Sequence, residues 1–578
     1  MKLSKRSAVL IATGIAGAMA LSACGGGSSS GSGSSSQGGG KGQVVFGEST
    51  DFPENLYPLI SAGNATSVAN IEAQLLPQTY EIQPDFTVKW NQELLTEEPT
   101  STVNGNTQTV TYKLKPEAVW SDGQPITADD FNLSWRLQKS SDPAKGGCAD
   151  LLSTSGYEQI TDVTGADNGK TVSVTYSPPF ADWQSSFAGN NSPLFPAHIM
   201  DKPTPEALCA ETSAGWPIAD GLPSDISGGP WQLKKENINV GAQTVVLTPN
   251  EKYWGDKPKV ARLVYQNIGN DPTTAVQGLS NGELNMIYPQ PQLDLVGQVK
   301  KLEPNVTSAI NFGLSFEHLD FNTTDAILSD VNVRKAFAMA LDRKQIVDQT
   351  VGQFSSDAQV LNNHIWKTNQ PEYQDNAPAE YKTANAAGAK ALLEQSGWKL
   401  GPDGIYAKGG QRLAIRIDTT ANNPLRQTTI EVMIPQLKAA GIEATFNANT
   451  DIFAGPDKPT SLIAGGFQAA LFAWVGNPFV SSQPPIYQSV KGSAVGQNYS
   501  RAGTPEIDAL LGQLVVTPER DKQVQITNQV DKLLWDQMAT LPLYQKPTFI
   551  AYSSNVKNVK DNSTQAGPLW NSSKWTVQ

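Results

Sequence analysis

The run from Val110 to Arg136, VTYKLKPEAVWSDGQPITADDFNLSWR, constrains the fold more than any other stretch of the chain. Val110, Tyr112 and Leu114 alternate with polar residues, the period of a strand that covers a core with one face. Lys115-Pro116 ends that strand. After Trp120, the sequence Ser121-Asp122-Gly123 predicts a turn, because aspartate bonds the backbone ahead of it and glycine accepts a positive φ. Thr127 stands three residues before Asp130, a side-chain oxygen at an N-cap with an acid in the first turn. Phe131 with Trp135 and Leu133 with Leu137 follow at i, i+4, so a helix is predicted from about Ala128. Strand, turn and capped helix together make a packing unit of an α/β protein.

A chain of 578 residues is too long for one core, and two or three domains are expected. The formal net charge of −12 and the lack of clustered Lys and Arg argue against nucleic acid as a partner. Lys2, Lys5 and Arg6 precede the apolar run Ala8 to Leu21, the pattern of a signal peptide, and Leu21-Ser22-Ala23-Cys24 resembles a lipobox. Residues 1–23 are therefore expected to be removed and Cys24 to be lipidated, which would tether the protein to a membrane. Residues 24–43 are almost all Gly and Ser after that cysteine, a composition that cannot bury a core and serves as a tether. No later stretch has the roughly 18 apolar residues of a membrane helix. Cys148 and Cys209 remain, and in an exported chain they are predicted to pair, the alternative being two free buried thiols.

The rest of the chain alternates strand and helix patterns. Strands are expected at Val44 to Glu48, Thr171 to Tyr176, Phe312 to Phe316, Leu413 to Ile417 and Phe467 to Trp474. Helices are expected after Asp271 and Asp330, over Ala386 to Gly397 and over about Arg520 to Asp536. Pro435, inside a helical pattern carrying Ile430, Ile434 and Leu437, should kink that helix or end it early.

Nothing supports an enzyme. The three histidines, His198, His318 and His364, lie far from one another, so no zinc or metalloprotease spacing exists. No nucleophile elbow or P-loop is present. Asp129-Asp130 and Glu97-Glu98 are adjacent carboxylates that cannot face each other on one element, and they read as solvated charges. No metal or cofactor is implied.

The string KLKPEAVWSDGQPITADDFNLSW resembles the signature of the extracytoplasmic solute-binding proteins of the peptide/nickel ABC-importer family, family 5. The resemblance continues through Pro193 to Ile199 (PLFPAHI), Tyr253-Trp254-Gly255, Asp271 to Met286, Val333 to Val347, Asn498-Tyr499 and Pro505 to Asp508. It implies an α/β, two-lobed clamshell of the periplasmic-binding-protein type, class II and enlarged cluster C, with an extra subdomain. The implied division is 44–85 and 191–311 in lobe I, 86–190 as the extra subdomain, 312–540 as lobe II and 541–578 returning to lobe I. It also implies a monomer on the extracytoplasmic face of the cell membrane that hands its ligand to ABC permease subunits.

In the family the segment at Trp474, Gly476 and Asn477 lines the ligand cleft. Trp366 and Asn498 are further expected contacts, and Tyr57 and Glu48 follow from the loop after the first strand, which lies at the cleft mouth in the family. One departure matters. Many peptide-binding members carry an aspartate three residues after the tryptophan, paired with the peptide α-ammonium; here Asn477 stands there and supplies no charge. A short peptide is the expected ligand, with an oligosaccharide as the alternative, since stacked tryptophans and amides suit hydroxylated ligands. A different class, an envelope lipoprotein that keeps the fold without transport, would show a filled or enlarged cleft.

Overall fold

The computed structural model describes residues 42–50, 52–148, 151–189, 192–269, 271–490 and 495–578. The expected signal peptide, Cys24 and all of the tether before residue 42 lie outside the described residues.

A ten-stranded mixed sheet runs through the molecule. Its order is Glu443–Asn449, Ala414–Thr420, Ala469–Trp474, Val306–Phe321, Thr540–Ser553, Met286–Ile287, Gln43–Glu48, Arg262–Asn267, Thr244–Pro249 and Trp231–Asn239. Helices cover it by burying one apolar stripe each. Ala336, Phe337 and Ala340 of the Val331–Ala340 helix, and Ile430, Met433 and Leu437 of the Pro424–Ala439 helix, enter one core with Leu319, Ile417 and Leu471 of the sheet. A second core gathers Val44, Phe46, Trp231, Leu247 and Leu263 with the aromatic residues of the extra subdomain. The fold is thus α/β with two principal cores.

Two long antiparallel strands connect them. Val306–Phe321 pairs with Thr540–Ser553 from Val306 opposite Ser553 to Asp320 opposite Thr540. Leu319, Phe321, Leu541 and Leu543 belong to the first of these cores, whereas Ile550 belongs to the second. The register slips between Phe312 and Phe316, opposite Pro547 and Gln545. A bulge fits there, because Pro547 has no N–H to give the ladder. Gly313 sits in the slip with the Ser563 carbonyl so close that a Cβ would meet it at 1.9 Å.

The extra subdomain is a four-stranded antiparallel sheet in the order Thr100–Asn104, Thr107–Lys113, Thr171–Tyr176 and Ile160–Ala166, with the Ala128–Gln138 helix against it. The turn and cap form as their residues require. Asp122 accepts from Gln124 N at 2.9 Å, Gly123 has a φ of 95°, and Thr127 N donates to Asp130 Oδ2 at 2.7 Å in a capping box. Cys148 and Cys209 are bonded, with Cα atoms 5.0 Å apart, which ties the loop after this helix to the Pro205–Ala214 helix.

Two expectations fail. Asp130 is not a solvated charge: it is buried, and its second oxygen accepts from Ala197 N at 2.8 Å. Burial pushes its carboxyl up to about 6, against the pull of the Ala197 and Thr127 amides. The other concerns Pro435, for which, of the two outcomes expected, a kink or an early end, the early end does not occur, since the helix runs from Pro424 to Ala439. Pro435 and Glu431 lie on its exposed face, so the carbonyl that loses a partner is hydrated, while Met433 and Leu437 hold the helix to the core.

Candidate functional site

The Ala469–Trp474 strand ends beside the bulge. Phe316 lies opposite Trp474 and His318 opposite Phe472. The Trp474 indole is sandwiched, parallel to Tyr499 at 5.7 Å on one side and to His318 at 5.8 Å on the other. Such stacked contacts add to area burial and fix the ring. Its Nε1 is buried without a hydrogen-bond partner.

After Trp474 the chain leaves the sheet. Val475 is exposed, and Gly476 passes the Leu314 carbonyl so closely that a Cβ would lie 2.3 Å from it. Glycine is required there by the protein's own backbone. Asn477 Oδ1 accepts from Phe479 N at 2.9 Å, turning the loop, and its amide nitrogen makes no hydrogen bond to a described residue.

A cavity of about 160 Å³ opens beside this loop. Leu314 and Phe316 of the connecting strand, Trp366 and Lys367, the Trp474 to Val480 loop, and Gln565 from the C-terminal segment all line it. Trp366 is almost wholly buried; its Nε1 donates to Thr527 Oγ1 at 2.8 Å and the Arg520 guanidinium lies 4.7 Å over its ring. Sites for small molecules commonly measure roughly 300–1,000 Å³, so this cavity is a small one.

Lys367, which sequence reasoning missed, is the unusual group. Its side chain is buried, Nζ donates to the carbonyls of Ile365 at 2.8 Å and His364 at 3.3 Å, and it lies 3.8 Å over the Phe316 ring. Burial lowers its ammonium to about 7, opposed by the Asp531 carboxylate. That carboxylate is otherwise engaged: it accepts from His364 N at 2.7 Å, lies 2.7 Å from His364 Nδ1, and accepts from Asn376 at 2.8 Å. Among the described residues no Asp or Glu lines the cavity. Nothing in the sequence distinguishes Lys367 from a surface lysine except its place after Trp366.

The structure therefore brings Trp474, Gly476, Asn477 and Trp366 to one cavity and leaves three expected contacts outside it. Tyr57 is fully buried, its ring 4.9 Å from Trp216 and 5.5 Å from Phe195, because the loop after the first strand folds inward. Glu48 is buried at the end of its strand, where Thr50 N and Oγ1 donate to it at 3.0 and 2.9 Å, and burial raises its carboxyl. Asn498 is buried; its amide donates to the carbonyls of Gln488 and Ala502 and its oxygen accepts from Ser500, so its hydrogen-bonding capacity serves a turn.

Two hydrogen bonds join the cavity loop and the segment after it to the far core. Ser481 N donates to Asp182 Oδ2 at 2.6 Å, and Ala181 N donates to the Val515 carbonyl at 2.9 Å. Asp182 adjoins Trp183, which packs edge-on against Tyr80 and Tyr112 of that core. Among the described residues no cluster of ligating side chains could hold a metal, and no helix is long and apolar enough to cross a membrane.

The comparisons with known proteins agree with this architecture. Residues 81–497 match the model of the bacterial extracellular solute-binding proteins, family 5 Middle. The oligopeptide-binding protein OppA of Mycobacterium tuberculosis is 30% identical over 514 residues, covering 88% of this chain and 81% of that protein. The probable monoacyl phosphatidylinositol tetramannoside-binding protein LpqW of the same species is 24% identical, covering 88% and 87%. Among solved structures, the periplasmic EDTA-binding protein EppA superposes with a TM-score of 0.84 at 26% identity, covering 93% of this chain and 97% of that one. A two-lobed α/β clamshell, a matching family model and a relative at this identity together show that the chain belongs to the bacterial extracellular solute-binding proteins of family 5.

Proposed function

We propose that the protein is the lipid-anchored ligand-capturing component of an ABC importer and that it binds short peptides in the cavity beside Trp474. As a family 5 solute-binding protein it is not an enzyme. The observation that carries the ligand site is the position of the cavity: it meets the connecting strand, the Trp474 to Val480 loop and Gln565 of the returning segment at once. A ligand held there touches both lobes, and binding favours the closed arrangement because only that arrangement makes both sets of contacts. Asp182 and Ser481 would close the mouth, and the bulge at Phe312 to Phe316 would be the place where the connecting strands bend. The OppA relative supports peptide as the ligand class.

The division of the chain into lobe I, extra subdomain and lobe II at the boundaries given above is part of this reading. So are lipidation of Cys24, the monomeric state and delivery to a membrane permease on the extracytoplasmic face. An oligosaccharide is the second reading, favoured by the LpqW relative. Native mass spectrometry of the purified chain mixed with tripeptides and with oligosaccharides tests both. Adducts spaced by amino-acid residues support peptide capture; adducts of hexose mass alone replace it with the sugar reading.

A further inference from the structure

The charges lining the cavity are one-sided. Lys367 presents a buried ammonium that two carbonyls and the Phe316 ring surround with dipoles, but it enters no ion pair with a described residue. Two of its three N–H bonds are directed to those carbonyls, and one remains. Of the other donors around the cavity, Trp474 Nε1 is buried without a partner, as are the indole nitrogens of Trp120, Trp135, Trp398 and Trp535 elsewhere, and the half-buried Asn477 amide nitrogen makes no hydrogen bond within the described protein. Unmatched buried donors are costly unless something supplies acceptors. A buried cation is costlier still without an opposite charge.

The ion pair one strand position away makes the contrast plain. Glu317 and Arg426 are equally buried, yet they bond each other through Nε and Nη2 at 3.0 to 3.2 Å. Arg334 and Arg343 are, like Lys367, buried and held by backbone carbonyls without an acid, and of these three cations only Lys367 lines the cavity.

We propose that the cavity takes its ligand by a carboxylate, which Lys367 and Asn477 hold, and that it offers no acid to a free α-ammonium. The proposal rests on the peptide reading for the identity of the carboxylate as a chain terminus, but not for the existence of the anion site. A peptide would enter with its C-terminus beside Trp474, and its amino end would lie toward solvent or the far lobe. No covalent step is involved.

The test uses the purified chain freed of bound ligand and a mixed tripeptide pool in three forms: free, N-acetylated and C-amidated. Binding is read by native mass spectrometry and calorimetry, with citrate as a carboxylate that is not a peptide. N-acetylation is expected to change affinity by less than about threefold, and amidation to lower it about tenfold or more, the loss of a charge-assisted hydrogen bond. K367M should remove the difference between free and amidated peptides. Since the blocked-peptide series on the unaltered protein needs no variant, a misfolded K367M would not spoil it, and K367Q gives a second reading of the same position. Tolerance of amidation together with loss on N-acetylation would overturn the carboxylate site and leave the peptide reading intact. If no tripeptide binds but citrate does, and K367M abolishes it, the carboxylate site stands and the peptide reading falls. If neither citrate nor any peptide form binds, both fall.

Discussion

The unit from Val110 to Gln138 packs into a core, and the loop from Trp474 to Gln483 lines a cavity. In the first, the polar groups that drew attention in the sequence are consumed internally: Asp122 holds its turn, Thr127 and Asp130 cap their helix, and Asp130 also takes the Ala197 amide. In the second, the strand ends, Val475 is exposed, and the Trp474 indole nitrogen has no partner. The residues that make the chain recognisable are therefore scaffold, whereas the second stretch lines the cavity.

The largest effect is expected from Asp130→Ala, which leaves the Thr127 and Ala197 amides without their acceptor. Unfolding free energy should fall by about 2–4 kcal/mol in denaturant titration, while ligand affinity stays the same. Its pH signature has a definite sign. The folded carboxyl is raised to about 6 from an ordinary 3.8, so the native state holds this proton more tightly than the unfolded one. Stability contributed by Asp130 falls as pH rises between those two values and is level above them, and Asp130→Asn removes that slope.

Next in size is Trp474→Ala, which removes the plate between His318 and Tyr499. It should weaken ligand binding by about 1.5–3 kcal/mol in calorimetry and leave a cooperative, somewhat less stable fold. Equal affinity would take the cavity loop out of the account. Asp182→Ala is expected to cost about 1–2 kcal/mol of affinity by loosening the contact with Ser481 N. X-ray scattering should show the liganded variant more expanded than the liganded parent. The smallest effect belongs to Lys113→Ala on the outer face of the extra subdomain, where the partner Glu97 is exposed; a change beyond about 0.5 kcal/mol in stability would contradict the reading of that pair as solvated.

Much of the first region was legible because its determinants are local. A capping threonine, an Asp-Gly turn and an alternating strand act within a few residues, and the helix begins at Ala128 as expected. What the sequence hid depends on contacts made across the chain. Asp130 is buried by Ala197, 67 residues away, and the two sides of the Trp474 stack, His318 and Tyr499, come from different segments. Tyr57 was expected at the cleft because its loop follows the first strand, but Phe195 and Trp216 draw it inward. Lys367 shows no local sign of burial at all; only the fold puts it beneath Phe316 and beside the cavity. Pro435 works in the other direction: a local signal for an early end is outweighed by the packing of Met433 and Leu437, and the helix continues to Ala439.

The most direct test of the central claim is native mass spectrometry of three purified chains, the parent, Trp474→Ala and Asp130→Ala, each mixed with the same tripeptide pool. The account predicts peptide adducts on the parent and on Asp130→Ala, and their loss from Trp474→Ala. Adducts that persist on Trp474→Ala at the parent's level would contradict it.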